Sequence, residues 1–307
     1  MLAPDQRGEN LHMSTPASPN LMNGHAVADR IYRELQPRIA ALRTQGVKPA
    51  LTILLADNDT RTDAYVRAKQ DAANRLGIRV QLHAFSPNLP AGELQDLIRK
   101  TIAACNVAAD THGIVLQLPL PNGIDEQELI DAIGPKKDVD GLTATNVAAL
   151  EAGRELLAPA TPLAVLRLLI AHSVALENTT VAVIGQGRLV GAPIAAMLHH
   201  RGANVRTADA STRDLATVTR GANVIVAATG TPNLITADLI DDNTVLIDVG
   251  LTSVDGQLIG DVSEDARAKA RLATPVVGGV GPVTVASLLS NVILAAEYQL
   301  LTQKREL

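Results

Sequence analysis

Two side chains suited to acid–base chemistry, Tyr65 and Lys69, stand four residues apart in a segment with helical periodicity. Residues at this spacing lie on one face of a helix, so both side chains point in the same direction. A single lysine on a helix is usually a solvated surface charge, because lysine is rarely buried. The pair therefore indicates catalysis only if the fold places further polar groups opposite it.

Two other segments in the first half of the chain carry polar residues where ligands often bind. Gln117 ends an otherwise apolar run that is predicted to be a strand, and strand ends in open α/β sheets are where ligands sit. The sequence Asp138-Val139-Asp140-Gly141 follows a short predicted helix. It is either a segment that binds a ligand or an ordinary loop. Both segments supply candidate site residues.

A group of carboxylates, Asp57, Asp59 and Asp63, has part of the spacing of a calcium-binding loop. Arg61 and Thr62, however, occupy the places where such a loop needs a ligand and a turn glycine. The sequence also lacks a cluster of cysteine and histidine at metal-ligand spacing, and it lacks the motifs of serine hydrolases and zinc proteases. We therefore predict that the protein has no metal site.

A glycine-rich turn in the second half of the chain joins an apolar, β-branched run at 180–185 to a predicted helix. It reads Gly185-Gln186-Gly187-Arg188-Leu189-Val190-Gly191. Glycines at this spacing allow a tight turn and the close approach of a pyrophosphate, whose charge the helix N-terminus stabilises. A plain strand-to-helix turn is the alternative, but the strand before it and the helix after it match the context of a dinucleotide site.

Asp209, at the end of the next predicted strand, bears on which dinucleotide we expect. A carboxylate at that position accepts hydrogen bonds from a ribose 2′-hydroxyl and repels a 2′-phosphate, which favours NAD over NADP. Arg188, Arg206 or Arg213 could instead turn towards the site and bind a phosphate. The predicted cofactor is therefore NAD or NADP, with NAD favoured.

Predicted strands and helices alternate along the chain, which implies crossover connections and mostly parallel sheets. In the first half, strands are predicted at 50–56, 78–84 and 113–118, with helices at 24–45, 63–76, 94–105 and 125–133. In the second half, strands are predicted at 180–185, 204–208, 223–229 and 244–250, with helices at 161–173, 189–200, 213–219 and 237–240. Asp255-Gly256 predicts a tight hairpin, and Pro282 predicts the first turn of a last helix that runs to about residue 302.

The composition is typical of an aliphatic α/β protein with two domains. The chain has 307 residues and is 47% hydrophobic, yet it contains only three Tyr, one Phe and no Trp. Its formal net charge of −5 disfavours nucleic acid as a partner. A single cysteine, Cys105, excludes an internal disulfide, and the apolar runs are too short to span a membrane, so we expect a cytoplasmic protein.

The first residues of the chain show no pattern of a signal peptide, because they contain mixed charges and prolines and no apolar stretch. Residues 1–22 are predicted to form a disordered tail. Periodic structure begins only at about Asn23, so Met13 and Met22 are alternative start positions.

Taken in order, the motifs resemble those of the bifunctional 5,10-methylenetetrahydrofolate dehydrogenase/5,10-methenyltetrahydrofolate cyclohydrolase family. The resemblance runs from about Asn23 to the C-terminal helix. It rests on Tyr65-Val66-x-x-Lys69, Gln117-Leu118-Pro119-Leu120-Pro121, Lys137-Asp138-Val139-Asp140-Gly141, Val183-Ile184-Gly185 through Val190-Gly191-x-Pro193, Asp248-Val249-Gly250, Gly260-Asp261-Val262, and Thr274-Pro275-Val276-x-Gly278-Gly279-Val280-Gly281-Pro282-x-Thr284.

The resemblance implies an α/β protein with two domains on either side of a cleft. An N-terminal α/β domain at 23–147, which binds folate and is completed by the last helix at 282–307, would be interrupted by a Rossmann-type domain with a doubly wound parallel sheet at 148–281. The family oxidises 5,10-methylenetetrahydrofolate with NAD(P)+ and hydrolyses the methenyl product to 10-formyltetrahydrofolate, in one-carbon metabolism and purine biosynthesis. It also implies a homodimer whose partners are a tetrahydrofolate-derived substrate and no nucleic acid or membrane.

The resemblance further implies roles for the matched residues. Tyr65 would stack on the pterin-side rings, Lys69 would be the central acid/base group, Gln117 would bind and tune it, and Asp140 would hold the amino edge of the pterin. In a partly dry cleft beside a cationic substrate, a lysine can act as a base for water near neutral pH. The substrate-binding positions would also include Thr62, Gly278, Gly279, Pro282 and Thr284. The cofactor-binding positions would be Gly185, Gln186, Gly187, Arg188, Val190, Gly191, Asp209, Thr229, Gly230, Asp248 and Gly250.

Several positions depart from the family pattern. Thr62 stands where the family usually has serine, in a loop one residue longer than usual, and Val277 replaces a proline. Ala160-Thr161-Pro162 replaces a usual Cys-Thr-Pro. Gly185-Gln186-Gly187 replaces Gly-Arg-Ser, and Asp209-Ala210 replaces His-Ser or His-Arg. In NADP-using members the arginine and the residues after the strand help to bind the 2′-phosphate, so these last two changes agree with a preference for NAD.

Two alternative functions stay open from the sequence alone. The first is a Rossmann dehydrogenase that acts on another small substrate, with its first domain put to a different use. The second is a non-catalytic regulator that binds folate or a nucleotide. The presence of Tyr65, Lys69 and Gln117 together argues against the first alternative.

Overall fold

The computed structural model describes residues 20–57 and 60–305. Most of the predicted tail therefore lies outside the described residues, but the prediction is wrong for residues 20–22. Asn20 O accepts a hydrogen bond from the backbone N–H of Ala273, Met22 N donates to Ala273 O, and the Met22 side chain is fully buried. These residues are ordered because they pair with the edge of a sheet in the second half of the chain.

The first part of the chain alternates helices and strands as predicted up to residue 131; the helix at Ala144–Glu151 was not predicted. Its elements are α1 (Gly24–Thr44), β1 (Ala50–Leu55), α2 (Thr60–Leu76), β2 (Arg79–Ala84), α3 (Ala91–Val107), β3 (Gly113–Leu116), α4 (Glu126–Asp131), α5 (Ala144–Glu151) and α6 (Ala160–Ala171). The strands form a parallel sheet in the order β2-β1-β3. Every residue of the central strand β1 is buried, as expected for an apolar strand with a neighbour on each side and helices on its faces.

The second part continues with β4 (Thr180–Ile184), α7 (Gly191–His199), β5 (Asn204–Ala208), α8 (Ala216–Thr219), β6 (Val224–Ala227), a 3₁₀ turn (Ala237–Leu239), β7 (Val245–Asp248), β8 (Leu251–Val254), β9 (Gln257–Gly260), α9 (Glu264–Lys269), β10 (Leu272–Ala273) and α10 (Val280–Arg305). Five of these strands form a parallel sheet in the order β10-β7-β6-β4-β5. Numbered within the unit, this order is 2-1-3-4-5, a doubly wound arrangement. Successive strands are added on one side of β4 first and on the other side afterwards, so the switch point lies between β4 and β6.

The predicted hairpin is present in the structure. β8 and β9 pair in antiparallel fashion, with Val254 opposite Gln257. Asp255 and Gly256 both have positive φ, 51° and 80°, as a two-residue turn of this kind requires.

The last helix, α10, belongs to the core of the first unit. It begins at Val280, two residues before the predicted Pro282, and packs against α1, α6, α2 and β3. By length and composition alone, Val280–Lys304 is long and apolar enough to cross a membrane, although the uninterrupted apolar runs of the sequence are too short to indicate such a segment. In the folded chain, 72% of its most apolar window is buried against protein. We therefore interpret α10 as the central helix of the first unit.

The predicted domain boundary between residues 147 and 148 falls inside the continuous helix α5. This helix and α6 both pack against α7 of the second unit, while α6 also packs against α10. The connection between the two units is therefore helical at this point. Where each unit begins and ends stays a prediction.

Candidate active site

Lys69 and Gln117 meet where α2 passes the carboxyl end of β3. Lys69 Nζ donates a hydrogen bond to Gln117 Oε1 across 2.8 Å. Gln117 Nε2 donates to Leu118 O across 2.9 Å, so the amide is held with its oxygen towards the lysine. Lys69 is half-buried, in contrast to the exposed lysine that a helix surface would carry.

Tyr65 and Asp140 flank this pair. Tyr65 lies one turn before Lys69 on the same face of α2, and 47% of its surface is exposed. The pKa of Asp140 is raised because burial disfavours its carboxylate; the nearby Lys69 ammonium lowers this pKa, and Asp138 raises it. The fold therefore gathers all four predicted catalytic residues around one position.

Asp138 secures the loop on which Asp140 stands. Its buried carboxylate oxygen Oδ2 accepts hydrogen bonds from the backbone N–H of Thr143, across 2.8 Å, and from Asn146 Nδ2, across 2.9 Å. Thr143 also caps the N-terminus of α5. Asp138 is thus a structural neighbour of the site, in contrast to Asp140.

Asn291, which the sequence analysis missed, holds the same loop from the opposite side. From the middle of α10, its Nδ2 donates to both Val139 O and Ala158 O, each across 2.8 Å. The only local signal is a buried amide in an otherwise apolar stretch of helix. Because its two partners lie far away in the sequence, this role becomes visible only in the folded chain.

Thr62 lies at the beginning of α2 and is buried. Its Oγ1 donates a hydrogen bond to Asp57 Oδ2 across 2.7 Å. Residues 58 and 59 of the intervening loop lie outside the described residues. The threonine hydroxyl therefore ties Asp57 to the helix that carries Lys69.

The remaining predicted substrate residues surround the start of α10. Gly278 has a φ of +85°, and its carbonyl accepts a hydrogen bond from the backbone N–H of Gly24 across 2.9 Å. A Cβ on Gly24 would lie 1.8 Å from Gly279 O, so this contact requires glycine. Pro282 lies in the first turn of α10, and Thr284 Oγ1 donates back to Val280 O. The structure joins this loop to α1, and no described hydrogen bond links it to Lys69.

The glycine-rich turn lies at the switch point between β4 and β6. Gly185 has a φ of +96°, and a Cβ there would lie 2.4 Å from Ala228 O. A Cβ on Gly191, where α7 begins, would lie 1.9 Å from Gly185 O. Val190 precedes α7 as its N-cap residue, and Gln186 Nε2 folds back onto Gly185 O. The turn and the N-terminus of α7 thus form the narrow cradle that a pyrophosphate fits.

Arg188 leaves this turn towards the first unit. Its guanidinium donates a hydrogen bond to Gln127 Oε1 on α4. Arg206, the second arginine considered as a phosphate ligand, donates to Arg220 O. In this structure both arginines are therefore engaged away from Asp209.

Asp209 lies directly beside the glycine-rich turn, since the preceding Ala208 O accepts a hydrogen bond from the N–H of Gly185. Asp209 Oδ1 accepts from the Ser211 hydroxyl, across 2.6 Å, and from the Ser211 N–H, across 2.9 Å. These bonds, followed by those of Thr212, lower the pKa of Asp209. The carboxylate is therefore ionised at neutral pH.

Asp248, predicted to bind the cofactor, has different partners in the structure. Its side chain is fully buried; Oδ1 accepts from the N–H of Asp261, across 2.9 Å, and Oδ2 lies 3.3 Å from Arg267 Nη2. Burial raises its pKa to about 6, although the amides of Asp261 and Val262 and the charge of Arg267 act in the opposite direction. The structure therefore gives this carboxylate a structural position under the crevice.

Thr229, Gly230 and Gly250 lie around the carboxyl ends of β6 and β7, in the same crevice as Gly185. The backbone N–H groups of Thr229 and Gly230 both donate to Asp261 Oδ2. A Cβ on Gly250 would lie 2.0 Å from Asp261 Oδ1, which explains the glycine. Gly187 has open space around its Cα, so its neighbours do not require a glycine there.

Two cavities of the described chain lie away from these residues. One, of about 390 Å³, is lined by Asn20, Leu258, Glu264, Arg267 and Val276, and another, of about 500 Å³, lies at Thr180 and Arg206. Among residues 20–57 and 60–305, no group of three His, Cys, Asp or Glu side chains could hold a metal ion. The candidate site is therefore identified by the contacts of its side chains.

Two family models match the chain. Residues 22–140 match the catalytic domain of tetrahydrofolate dehydrogenase/cyclohydrolase, and residues 159–300 match the NAD(P)-binding domain of the same family. The chain is 40% identical, over 283 residues, to a bifunctional protein FolD from Nitrosomonas eutropha; the match covers 92% of this chain and 95% of that protein.

Solved structures agree with these matches. The bifunctional FolD methylenetetrahydrofolate dehydrogenase/cyclohydrolase from Campylobacter jejuni superposes with a TM-score of 0.86 at 34% identity, covering 91% of this chain and 98% of that chain. The Trypanosoma brucei FolD, which was solved with NADP cofactor and inhibitor, gives a TM-score of 0.85 at 33% identity, with the same coverage.

Proposed function

Since the chain belongs to the tetrahydrofolate dehydrogenase/cyclohydrolase family, we propose that it oxidises 5,10-methylenetetrahydrofolate with NAD in preference to NADP, and that Lys69 then serves the hydrolysis of the product. The protein is a bifunctional enzyme of one-carbon metabolism. Its dehydrogenase activity forms 5,10-methenyltetrahydrofolate, and its cyclohydrolase activity converts this to 10-formyltetrahydrofolate. The observation that carries the assignment of residues is the Lys69–Gln117 hydrogen bond beside Tyr65 and Asp140.

In the oxidation, the residues of the first unit orient the folate. Tyr65 presents its ring to solvent one turn from Lys69, where it can stack on the substrate rings, and Asp140 can accept hydrogen bonds from an amino edge. When bound, the nicotinamide supplies the hydride acceptor. Gly185, Gly191 and the N-terminus of α7 would hold its pyrophosphate: a side chain at either glycine would collide with a neighbouring backbone carbonyl, so only glycine allows this tight turn at the start of the helix.

In the hydrolysis, Lys69 acts as the base that accepts a proton from water. A water molecule that attacks the methenyl carbon must lose a proton, and a neutral amine within hydrogen-bond reach can take it. The bond from this carbon to N5 then breaks as the new hydroxyl becomes the formyl carbonyl and its proton passes to N5, so one proton in all is released. Gln117 Oε1 accepts from Lys69 Nζ and thereby fixes the direction in which the amine faces. The anchored amide has no charge, so it positions the lysine without adding a negative charge beside it.

The preference for NAD rests on Asp209. Its ionised carboxylate lies next to the glycine-rich turn, and its described hydrogen bonds from Ser211 all go to Oδ1. Such a carboxylate favours a ribose 2′-hydroxyl and repels a 2′-phosphate. Arg188 and Arg206 are held elsewhere, which supports the same conclusion. Arg213, the third arginine considered, is exposed in the loop after Asp209 and has no hydrogen bond or ion pair among the described residues, so it stays available to a phosphate.

We also propose that the protein works as a homodimer in the cytoplasm. The β8–β9 hairpin exposes three large apolar side chains; Leu251 and Leu258 share one face, which a second copy could cover, and Val254 lies on the other. The single cysteine, Cys105, is free and buried, in agreement with a reducing compartment. Light scattering on the wild type and on Leu258→Asp tests the dimer, which we expect only for the wild type.

The experiment that tests the proposed function measures formation of reduced nicotinamide from 5,10-methylenetetrahydrofolate with NAD+ and, in parallel, with NADP+. Both cofactors are used at matched concentrations below saturation. We expect a higher rate with NAD+. A higher rate with NADP+ would overturn the cofactor preference, and no activity with either cofactor would overturn the assignment of the dehydrogenase.

A further inference from the structure

Asp261 is buried, with only 1% of its surface exposed, and one of its carboxylate oxygens accepts three hydrogen bonds. Oδ2 accepts from the N–H of Thr229 across 2.6 Å, from Thr229 Oγ1 across 2.9 Å and from the N–H of Gly230 across 3.1 Å. Hydrogen bonds to an ionised acceptor are shorter and stronger than neutral ones. The loop after β6 is therefore tied to the end of β9.

This loop lies beside the glycine-rich turn, at the carboxyl end of β6. A Cβ on Gly185 would lie 2.4 Å from Ala228 O and 3.1 Å from Thr229 Cγ2, so the two loops are in direct contact. Thr229 Oγ1 donates to Asp261 and accepts from the N–H of Thr231 across 3.0 Å. The hydroxyl of Thr229 is thus occupied in holding its own loop.

Asp261 is itself fixed from below. Its N–H donates to the buried Asp248, which lies beside Arg267, and its carboxylate packs directly on Gly250. The second carboxylate oxygen, Oδ1, is buried and has no hydrogen-bond partner among the described residues. A buried acceptor without a partner costs free energy, so the three hydrogen bonds that Oδ2 accepts must offset this cost.

We propose that Asp261 is a positioning residue for the dehydrogenase step: its carboxylate holds Thr229 and Gly230 in the conformation that receives the dinucleotide. It acts through the loop and touches neither folate nor the reacting atoms. The proposal rests on the proposed function, because it requires a dinucleotide in this crevice. It assigns no part in the hydrolysis to Asp261, since Lys69 and Gln117 belong to the first unit.

Asp261→Ala and Asp261→Asn test the proposal, with Asp238→Asn as the control. Asp238 is an exposed aspartate of the same unit, bonded to Thr236 away from the crevice. In Asp261→Ala, we expect the KM for NAD+ to rise about tenfold or more, because the charged acceptor is lost. In Asp261→Asn, one oxygen still accepts but the charge is gone, so we expect a rise of about threefold. Hydrolysis of methenyltetrahydrofolate should change less than twofold in all three variants.

Titration of NADH fluorescence gives the dissociation constant and separates binding from turnover. An unchanged KM and an unchanged dissociation constant in Asp261→Asn would overturn the proposal. So would an equal loss of both activities together with a lowered melting temperature, because this marks a purely structural residue. If Asp261→Ala fails to fold, Asp261→Asn decides alone. A wild type that reduces neither cofactor would instead refute the proposed function.

Discussion

The side chains of Lys69 and Gln117 are joined by a 2.8 Å hydrogen bond although the two residues are 48 positions apart in the chain. Gln117 cannot turn its oxygen away without breaking its own bond to Leu118 O. The lysine is consequently directed by a neutral partner that is fixed to the backbone. This arrangement distinguishes Lys69 from the solvated lysines of an ordinary helix surface.

Replacing Lys69 should separate the two activities. In Lys69→Met the apolar stem is kept and the amine is lost, so hydrolysis of methenyltetrahydrofolate should fall about a hundredfold or more. Hydride transfer should fall less, because the redox chemistry belongs to the nicotinamide. Absorbance of the methenyl group measures the hydrolysis directly. Lys100→Met, at an exposed lysine of α3, is the matched control. Equal rates of hydrolysis in the two variants would exclude the assigned role of Lys69.

Replacing Asp209 should change the choice of cofactor. In Asp209→Ser the acceptor for a 2′-hydroxyl is weakened and the repulsion of a 2′-phosphate is removed. We expect the ratio of kcat/KM for NAD+ to kcat/KM for NADP+ to fall about tenfold. Initial rates with each cofactor give this ratio, and Asp214→Ser in the following loop should leave it unchanged. A constant ratio in Asp209→Ser would show that the carboxylate does not face the ribose.

Removing the Asn291 amide should loosen the loop that carries Asp140. Asn291→Ala leaves Val139 O and Ala158 O without their donor, which should lower the free energy of unfolding by about 2 kcal/mol. The KM for the folate substrate should rise severalfold, because the position of Asp140 becomes less defined. Urea unfolding and steady-state kinetics measure the two effects.

Ser287→Ala is the control for Asn291→Ala, since Ser287 is a buried polar residue of the same helix that binds Arg167. It should leave the KM for folate at the wild-type value. If both variants raise this KM to the same extent, the effect belongs to α10 as a whole.

The buried Asp248 should make stability depend on pH. Its pKa is about 6 in the folded chain, against an ordinary value of 3.8, so between these values the folded state binds more protons than the unfolded state. The stability contributed by this group is therefore present below pH 4 and is lost as the pH rises through 6. Compared with Asp248→Asn, the wild type should gain about 2 kcal/mol of unfolding free energy between pH 7.5 and pH 4.5. Parallel curves of wild type and Asp248→Asn would contradict the raised pKa.

Much of the architecture follows from local patterns. The strand at Asn204–Ala208 and the hairpin at Asp255-Gly256 were predicted correctly, because β-branched runs and positive φ at turns are properties of short segments. The glycine-rich turn was recognisable for the same reason. The short elements α5, α9 and β10 were missed, since eight, six and two residues carry too little periodicity to be detected.

What the sequence by itself determined is therefore the α/β class, the alternation that builds two parallel sheets, and the residue types of the candidate site. Only the tertiary structure decided that Asn291 reaches Val139 across 152 positions and that the carboxylate of Asp248 is buried. The family resemblance had already implied that the last helix completes the first unit, and the packing of α10 agrees with this. Hydrophobic periodicity and turn chemistry act over a few residues, so a pattern reveals them. Contacts between distant residues depend on how whole elements pack, and only the folded chain shows which side chains meet.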